Sequence, residues 1–155
     1  MPHEPPHTVL IVDDDSDMRL YCAKALESEG YQTMLSSNAS GALDLLRRQS
    51  VSLLLTDFQL GPAALRLAGG RPELALTGVG LMELAQASYP SLPVVFMSAY
   101  GDQLASTRGF DHGERPLLRK PFQAESLRRV VRDALQKAAL PAVQSIAPAP
   151  ACPSA

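Results

Sequence analysis

The chain has 155 residues, of which 46% are hydrophobic, and its formal net charge at pH 7 is -2. This size and hydrophobic content suffice for one domain with an ordinary core. The nearly balanced charge argues against a non-specific nucleic-acid binder, which normally has a basic surface. Aromatic residues make up only 5% and Trp is absent, which argues against a stacking platform for bases. We therefore expect partners that are proteins or small anions.

The cysteines and the N-terminal segment predict the compartment. Cys22 and Cys152 lie far apart in the sequence, so neither a disulfide framework nor a metal-binding spacing is visible. Residues 1–7 lack the apolar segment of a signal peptide, and no apolar run reaches the roughly 18 residues of a membrane span. We therefore expect a cytoplasmic protein in a reducing compartment, without contact with a membrane.

Strand-like and helix-like segments alternate along the chain. Short apolar runs predict buried strands, and longer segments with apolar residues at helical spacing predict helices. The predicted strands span residues 8–13, 31–36, 51–56, 94–97 and 117–119, and the predicted helices span 16–29, 39–49, 78–88 and 124–137. Residues 101–113 are poor in apolar side chains and predict a short, frayed or mobile fourth helix. Five β/α units of this kind predict a parallel sheet with helices on both faces.

The remaining segments differ in composition from these units. Residues 1–7 are rich in Pro and His, and residues 140–155 are rich in Pro and Ala, so we expect both ends to be disordered. The loop that follows the third strand has about twenty residues, which is long for a compact domain. We therefore expect a single folded domain over residues 8–139.

Charged and hydroxyl side chains stand at the carboxyl ends of the predicted strands. Asp13 and Asp14 follow the first strand, Asp57 the third, Ser98 the fourth and Lys120 the fifth. Ligands of such sheets bind beyond these strand ends. Carboxylates that are crowded together resist ionisation unless a cation lies among them, which implies a hard metal ion, a lysine or both. One carboxylate could also act as a nucleophile and form an aspartyl-phosphate.

Four motifs in this order, VLIVDDD, LLLTDFQL, VVFMSAYGD and LLRKPF, closely resemble the receiver domain of two-component response regulators. The resemblance covers roughly residues 8–138, and its specificity comes from the ordered set, since any single motif is weak. It implies an α/β fold of the flavodoxin-like (βα)5 type, a doubly wound parallel sheet with the strand order 2-1-3-4-5.

The resemblance also implies roles for the acidic residues. Asp57 matches the phosphoacceptor, which would become a 4-aspartylphosphate on taking a phosphoryl group from a sensor histidine kinase or a phosphotransfer protein. Asp13 and Asp14 match the acidic pair that places Mg²⁺, with Asp57 and the backbone carbonyl of Gln59 as further ligands. Ser98 and Lys120, carried over in the same way, match the hydroxyl and the ammonium that contact the phosphoryl group. The bond between this lysine and the following proline is commonly cis in the family.

The chain departs from the family pattern in two places besides the weak fourth helix. Leu117 stands three positions before Lys120, where the family usually has an aromatic switch residue. The usual Met-Pro after the acceptor is replaced by Leu60-Gly61-Pro62, and the glycine that matches the family pattern, Gly80, comes later than in the family. We therefore expect an insertion at about residues 61–77. We also expect that phosphorylation is not coupled to the distal surface by a turning aromatic ring, although such coupling is usual in the family.

Two other functions remain open from the sequence. A Mg²⁺-dependent phosphohydrolase of the haloacid dehalogenase type would use Asp13 as its nucleophile, and Asp15 and Ser16 loosely fit its opening motif. A degenerate receiver would act only as a binding module. Our expectation is a stand-alone receiver that is not an enzyme, because it would catalyse only its own phosphorylation and dephosphorylation. It would signal to an unknown downstream protein without binding nucleic acid directly.

Overall fold

The computed structural model describes residues 6–58, 60, 78–98 and 116–138. Within these ranges the chain forms five strands and four helices. The strands are β1 (Thr8–Val12), β2 (Gln32–Ser36), β3 (Leu53–Asp57), β4 (Val94–Ser98) and β5 (Leu117–Arg119). The helices are α1 (Ser16–Glu27), α2 (Ala39–Arg48), α3 (Gly78–Ser88) and α4 (Ala124–Ala138). None of these helices is both long enough and apolar enough to span a bilayer.

The five strands form one parallel sheet in the order β2-β1-β3-β4-β5. This order confirms the doubly wound arrangement that the sequence predicted. The register pairs Val12 with Thr56 and Asp57 with Met97, so β1, β3 and β4 reach the same edge of the sheet. In such a sheet the direction of winding reverses between β1 and β3, and their carboxyl ends border the cleft there.

Separate groups of buried side chains cover the two faces of the sheet. Along β1, Val9 and Ile11 pack with α1 and α4, whereas Leu10 and Val12 pack with α2 and α3. This alternation follows from the two-residue period of a strand. All four side chains are fully buried. The prediction of a first strand covered on both faces is therefore confirmed.

Helix α1 ends two residues earlier than the sequence predicted. The hydroxyl of Ser28 donates to the carbonyl of Ala25 at 2.7 Å, and the Ser28 N–H donates to the carbonyl of Lys24 at 3.1 Å. These bonds satisfy carbonyls of the last turn and end the helix. Gly30 then has a φ of 94°, in the left-handed region that glycine adopts most easily. Gly30, a residue type that commonly follows the end of a helix, therefore lies beyond the last helical residue, Glu27.

Strand β3 is shifted along the chain by comparison with its predicted span. It begins at Leu53 and includes Asp57 as its last residue. At its start, the Ser52 N–H donates to the Thr8 carbonyl at 2.8 Å, and the Ser52 hydroxyl accepts from the Thr8 N–H at 3.1 Å. A side chain thus takes one place of the strand ladder there. At the other end of the strand, Asp57 belongs to β3 and not to the loop that follows it.

Several predictions concern residues outside the described ranges, and they stay predictions. They are residues 1–5 of the segment 1–7 that was predicted to be disordered, the insertion at 61–77, the short helix at 101–113, the tail at 140–155 and the backbone ligand Gln59. At the N-terminal end, His7 is described, and its carbonyl accepts from the Gln32 N–H at 2.9 Å. The pairing of the first two strands therefore begins at that residue.

A candidate acidic site at the carboxyl edge of the sheet

Three charged side chains converge because strand residues alternate between the two faces. Each of these charged residues comes two positions after a buried residue whose side chain lies on the face of the sheet that α1 and α4 cover. These buried residues are Ile11, Leu55 and Leu118. The charged residues that follow them are Asp13, Asp57 and Lys120. The same periodicity that builds the core thus carries these three side chains to one side of the sheet edge.

Asp13 is fully buried and every one of its polar atoms has a partner. Its Oδ1 atom accepts from the Asp15 N–H at 3.0 Å, and its Oδ2 atom accepts from the Lys120 ammonium at 2.8 Å. Its N–H donates to the Ser36 carbonyl at 3.2 Å, and its carbonyl accepts from the Arg19 guanidinium at 2.6 Å. A buried carboxylate needs such compensation. Asp13 is therefore the fixed centre of the cluster.

Asp57 is less enclosed, with 14% of its side chain exposed. Burial, and then the negative charge of Asp13, raise its pKa from 3.8 to about 6, although Lys120 acts in the opposite direction. Its Oδ1 atom lies 3.5 Å from the ammonium of Lys120. Its backbone carbonyl accepts from the hydroxyl of Thr56 at 3.0 Å. Asp57 thus presents a partly accessible carboxylate of raised basicity.

Lys120 is the cation of the cluster and contacts two of its acids. Burial alone lowers the pKa of the lysine, but the hydrogen bond that Lys120 donates to Asp13 and the charges of Asp57 and Asp13 outweigh it, so the net pKa is raised. The peptide bond to Pro121 is cis, and the Lys120 N–H donates to the carbonyl of Ser98 at 2.8 Å. The lysine therefore stays protonated, and its backbone is tied to β4.

The three carboxylates supply the donor set of a hard divalent cation. Oxygen atoms of Asp13, Asp14 and Asp57 all lie within 4.8 Å of one another. Three ionised carboxylates against the one ammonium of Lys120 leave a formal charge of -2 at the site, which a divalent ion would balance. Oxygen ligands of this kind are those that Mg²⁺ prefers. The residues therefore fit Mg²⁺, with the exposed Asp14 as the most accessible ligand.

Of the other residues to which the resemblance draws attention, Ser98 and Leu117 lie within the described ranges. Ser98 is the last residue of β4, buried, and one position beyond the strand partner of Asp57. Leu117 is half-buried and packs against the core group that α2 and α3 cover. An aliphatic side chain thus occupies the position of the family's aromatic switch, as the sequence indicated.

Two contacts at the site could not be predicted from strand ends alone. Arg19 lies on α1, six positions after Asp13, and sequence reasoning gave it no role. Gly78, the first residue of α3, donates its N–H to the Phe58 carbonyl at 2.6 Å, and a methyl group there would overlap the carbonyl oxygen of Asp57. The spacing of Arg19, about one helical turn from the helix start, is the one signal that could have revealed it.

Cys22 contributes no nucleophile to this region. Its thiol is fully buried on the inner side of α1, 3.8 Å from the sulfur of Met97. Burial, followed by the charge of Asp13, raises its pKa to about 12. The thiolate, which is the reactive form, is therefore absent near neutral pH. The reactive candidates among the described residues around the sheet edge are the carboxylates.

The fold and this cluster agree with the comparison to known families. The model of the response regulator receiver domain matches residues 9–132. The chain belongs to this family. In it, acceptance of a phosphoryl group by an aspartate is a general property.

Relatives and solved structures support the same conclusion. The nitrogen assimilation regulatory protein NtrX of Azorhizobium caulinodans is 30% identical over 130 residues, which cover 84% of this chain and 26% of that protein. The transcriptional regulatory protein GlrR of Escherichia coli is 27% identical over 139 residues, covering 90% and 28%. The chain thus spans about a quarter of the length of these curated relatives.

Among solved structures, NtrX from Brucella abortus in complex with ADP superposes with a TM-score of 0.73 at 27% identity, covering 95% of this chain and 31% of that chain. The isolated receiver domain of the same NtrX gives a TM-score of 0.66 at 30% identity, covering 83% and 98%. A CheY-like receiver protein from Methanospirillum hungatei gives 0.71 at 22% identity, covering 86% and 97%, and supports the fold alone.

Proposed function

We propose that this receiver domain accepts a phosphoryl group on Asp57, with Mg²⁺ at the acidic cluster, from a sensor histidine kinase or a phosphotransfer protein. The observation that carries the proposal is the shared lysine. Lys120 contacts both the buried Asp13 and the more accessible Asp57, at 2.8 and 3.5 Å. An ammonium in that position can stabilise charge on a phosphoryl group attached to the second acid.

In the proposed reaction an oxygen of Asp57 attacks the phosphorus of a phosphohistidine. The new O–P bond forms as the P–N bond breaks, and the imidazole leaves with the bonding electron pair and takes a proton from solvent. Lys120 pairs with the phosphoryl oxygens, and the hydroxyl of Ser98 donates a hydrogen bond to one of them. Water later cleaves the acyl phosphate. The chain therefore catalyses only its own phosphorylation and dephosphorylation.

Mg²⁺, when bound, would neutralise charge on the phosphoryl oxygens during the transfer. The residues that would hold it are Asp13, Asp14, Asp57 and the backbone carbonyl of Gln59. The carboxylates of the three aspartates lie close together, which supports this assignment. The chain's own part is to hold these carboxylates next to one another and next to Lys120.

The alternative nucleophile of a haloacid dehalogenase type hydrolase is Asp13, and its surroundings disfavour that role. Asp13 is almost completely buried, and both of its carboxylate oxygens already accept hydrogen bonds. Asp57 has an exposed fraction and a raised pKa, both of which suit a nucleophile better. The family match also favours the receiver. Phosphoacceptance by Asp57 is therefore the better-supported reaction.

The output of the domain would be a protein contact that depends on phosphorylation. Charge added at Asp57 would bias a two-state surface, in the manner of other local charge switches. Because Leu117 stands where the family usually has an aromatic switch residue, the coupling between Asp57 and this surface would not use an aromatic ring at that position. We propose a downstream protein as the target, in the cytoplasm, with no direct contact to nucleic acid or to a membrane.

The test is to incubate the full chain with Mg²⁺ and a small acyl phosphate and to follow its intact mass over time. We expect a transient gain of one phosphoryl group, which decays when the donor is removed. Replacing Mg²⁺ by excess EDTA should abolish the gain. If the wild-type chain gains no phosphoryl group from the acyl phosphate or from a phosphorylated histidine donor, it is a binding module and the proposal is wrong.

A further inference from the structure

Arg19 reaches back from α1 to the backbone of the acidic cluster. Its Nη1 atom donates to the carbonyl oxygen of Asp13 at 2.6 Å, a short and charge-assisted hydrogen bond. The side chain is half-buried. Within the described residues Arg19 forms no ion pair with a carboxylate. Its guanidinium is thus directed to one backbone oxygen and not to an acid.

That oxygen belongs to the peptide unit that joins Asp13 to Asp14. Because a peptide unit is planar, holding its oxygen fixes the direction in which the chain continues to the next residue. Asp14 is exposed, and its side chain makes no hydrogen bond or ion pair with the part of the chain that the structure describes. Among the described residues, it is therefore the backbone that orients this carboxylate toward the cluster.

The other polar atoms of Asp13 are held by groups from different elements. Ser36 on β2, Asp15 at the start of α1 and Lys120 after β5 hold its N–H and its two carboxylate oxygens. Arg19 supplies the remaining contact, to the carbonyl. Removing it leaves a fully buried residue with an unpaired acceptor and frees the peptide that carries Asp14.

We propose that Arg19 is a positioning residue of the cation site: by binding the Asp13 carbonyl, it holds Asp14 in the direction required to bind Mg²⁺. This inference rests on the proposed function, since it assigns a supporting group to the same site. Groups that orient a metal ligand without touching the metal commonly change metal affinity by about 10- to 100-fold when they are removed.

Because Arg19 is positively charged, the direction in which its removal changes the affinity for Mg²⁺ distinguishes positioning from an effect of charge alone. An arginine near an acidic cluster repels a divalent cation, so if it acted by charge alone its loss would strengthen Mg²⁺ binding. Positioning has the opposite consequence, because a misdirected Asp14 binds the ion less well. Weaker Mg²⁺ binding after loss of a positive charge therefore indicates positioning.

The experiment compares Arg19→Met and Arg19→Lys with wild type in the full, unphosphorylated chain. Calorimetric titration with MgCl₂ gives the Mg²⁺ dissociation constant, and the ¹³C resonance of the Asp13 carbonyl reports on the hydrogen bond itself. Lys24→Met is the matched control, because it removes a positive charge from an exposed position of the same helix. Circular dichroism establishes that each variant is folded.

We expect Arg19→Met to raise the Mg²⁺ dissociation constant by about tenfold or more and to shift the Asp13 carbonyl resonance. Arg19→Lys should fall between it and wild type, since lysine can donate to the carbonyl but lacks the planar reach of arginine. Lys24→Met should bind Mg²⁺ as tightly as wild type or more tightly.

Unchanged or tighter Mg²⁺ binding by a folded Arg19→Met variant overturns the inference. An Asp13 carbonyl resonance that stays in place does so as well. Failure of the proposed function has a different signature, because the wild-type chain would then bind no Mg²⁺ and gain no phosphoryl group. The Mg²⁺ titration of the wild-type chain therefore distinguishes failure of this inference from failure of the proposed function.

Discussion

The ammonium of Lys120 lies 2.8 Å from the Oδ2 atom of Asp13, in an ion pair whose side chains are 17% and 1% exposed. The pair is largely removed from water, and the lysine supplies the counter-charge of the buried Asp13 carboxylate. Its longer contact with Asp57 leaves that second acid partly uncompensated. The site therefore has one carboxylate fixed by the lysine and one that is open to change.

Removing the ammonium should destabilise the fold strongly. Lys120→Met leaves the buried Asp13 carboxylate without its cation, and loss of one partner of a buried pair costs about 3–5 kcal/mol. We expect a loss of this order in the free energy of unfolding, measured by urea denaturation in EDTA. Saturating Mg²⁺ should restore part of it, because a bound cation replaces the missing charge.

The matched control for this variant is Arg129→Met. Arg129 pairs with Glu125 at 3.7 Å, and both side chains are mostly exposed. Such surface pairs contribute about 0–1 kcal/mol. Equal losses of stability in the two variants would show that the Lys120 pair is no more important than a surface contact.

The raised pKa of Asp57 predicts a stability difference that depends on pH. Because the folded chain binds this proton more tightly than the unfolded chain, protonation of Asp57 stabilises the fold at low pH. That contribution is complete below the ordinary value of 3.8 and is lost as the pH rises through about 6. The ionised Asp57 is therefore a destabilising group at neutral pH.

Asp57→Asn removes this titration while keeping the shape of the side chain. In EDTA at about pH 7 we expect the variant to be more stable than wild type, by at most about 3 kcal/mol. The difference should shrink toward zero near pH 4, where wild type is protonated as well. Urea denaturation across this range measures it, and a difference that does not vary with pH contradicts the raised pKa.

The fold was predictable from the sequence because its main determinants are local. The apolar run at 9–12 and the alternating helices specify a parallel sheet covered on both faces, and the observed strand order agrees. Element ends were less predictable. The end of α1 and the start of β3 differ from their predicted positions, where Ser28 and Ser52 form side-chain hydrogen bonds to the backbone. Such bonds compete with regular backbone bonds and are not visible in the hydrophobic pattern.

Gly78→Ala should destabilise the chain although alanine favours helices. Exchanging glycine for alanine in a helix usually gains about 0.5–1 kcal/mol. Here the added methyl group would meet the backbone carbonyl of Asp57, which cannot turn aside without moving β3. We expect a net loss of about 1–3 kcal/mol, as in other overpacked sites, and slower phosphorylation by a small acyl phosphate.

Gly41→Ala serves as the control for this effect. Its methyl group would lie 2.7 Å from the hydroxyl oxygen of Ser36, and a side chain can rotate away more easily than a backbone carbonyl can. It should therefore cost less stability and leave phosphorylation unchanged. A stabilised and normally phosphorylated Gly78→Ala variant would show that the close approach to Asp57 has no consequence.

The candidate site was predictable to the extent that it consists of strand ends. Asp13, Asp57 and Lys120 each follow an apolar run, so strand periodicity and sheet topology bring them together. Arg19 was not predictable in this way, because its contact depends on the path of the turn between β1 and α1. A contact to a backbone carbonyl requires no particular partner residue, so the spacing of Arg19 from the start of the helix is the only signal that the sequence offers.

The central claim is that Asp57 is the residue that receives the phosphoryl group. The most direct measurement treats wild type, Asp57→Asn and Asp13→Asn with an acyl phosphate and Mg²⁺ and locates the adduct by peptide mass spectrometry. We expect the group on Asp57 in wild type, none in Asp57→Asn, and slower modification of Asp57 in Asp13→Asn. Phosphoryl on Asp13, or an undiminished adduct in Asp57→Asn, would contradict the claim.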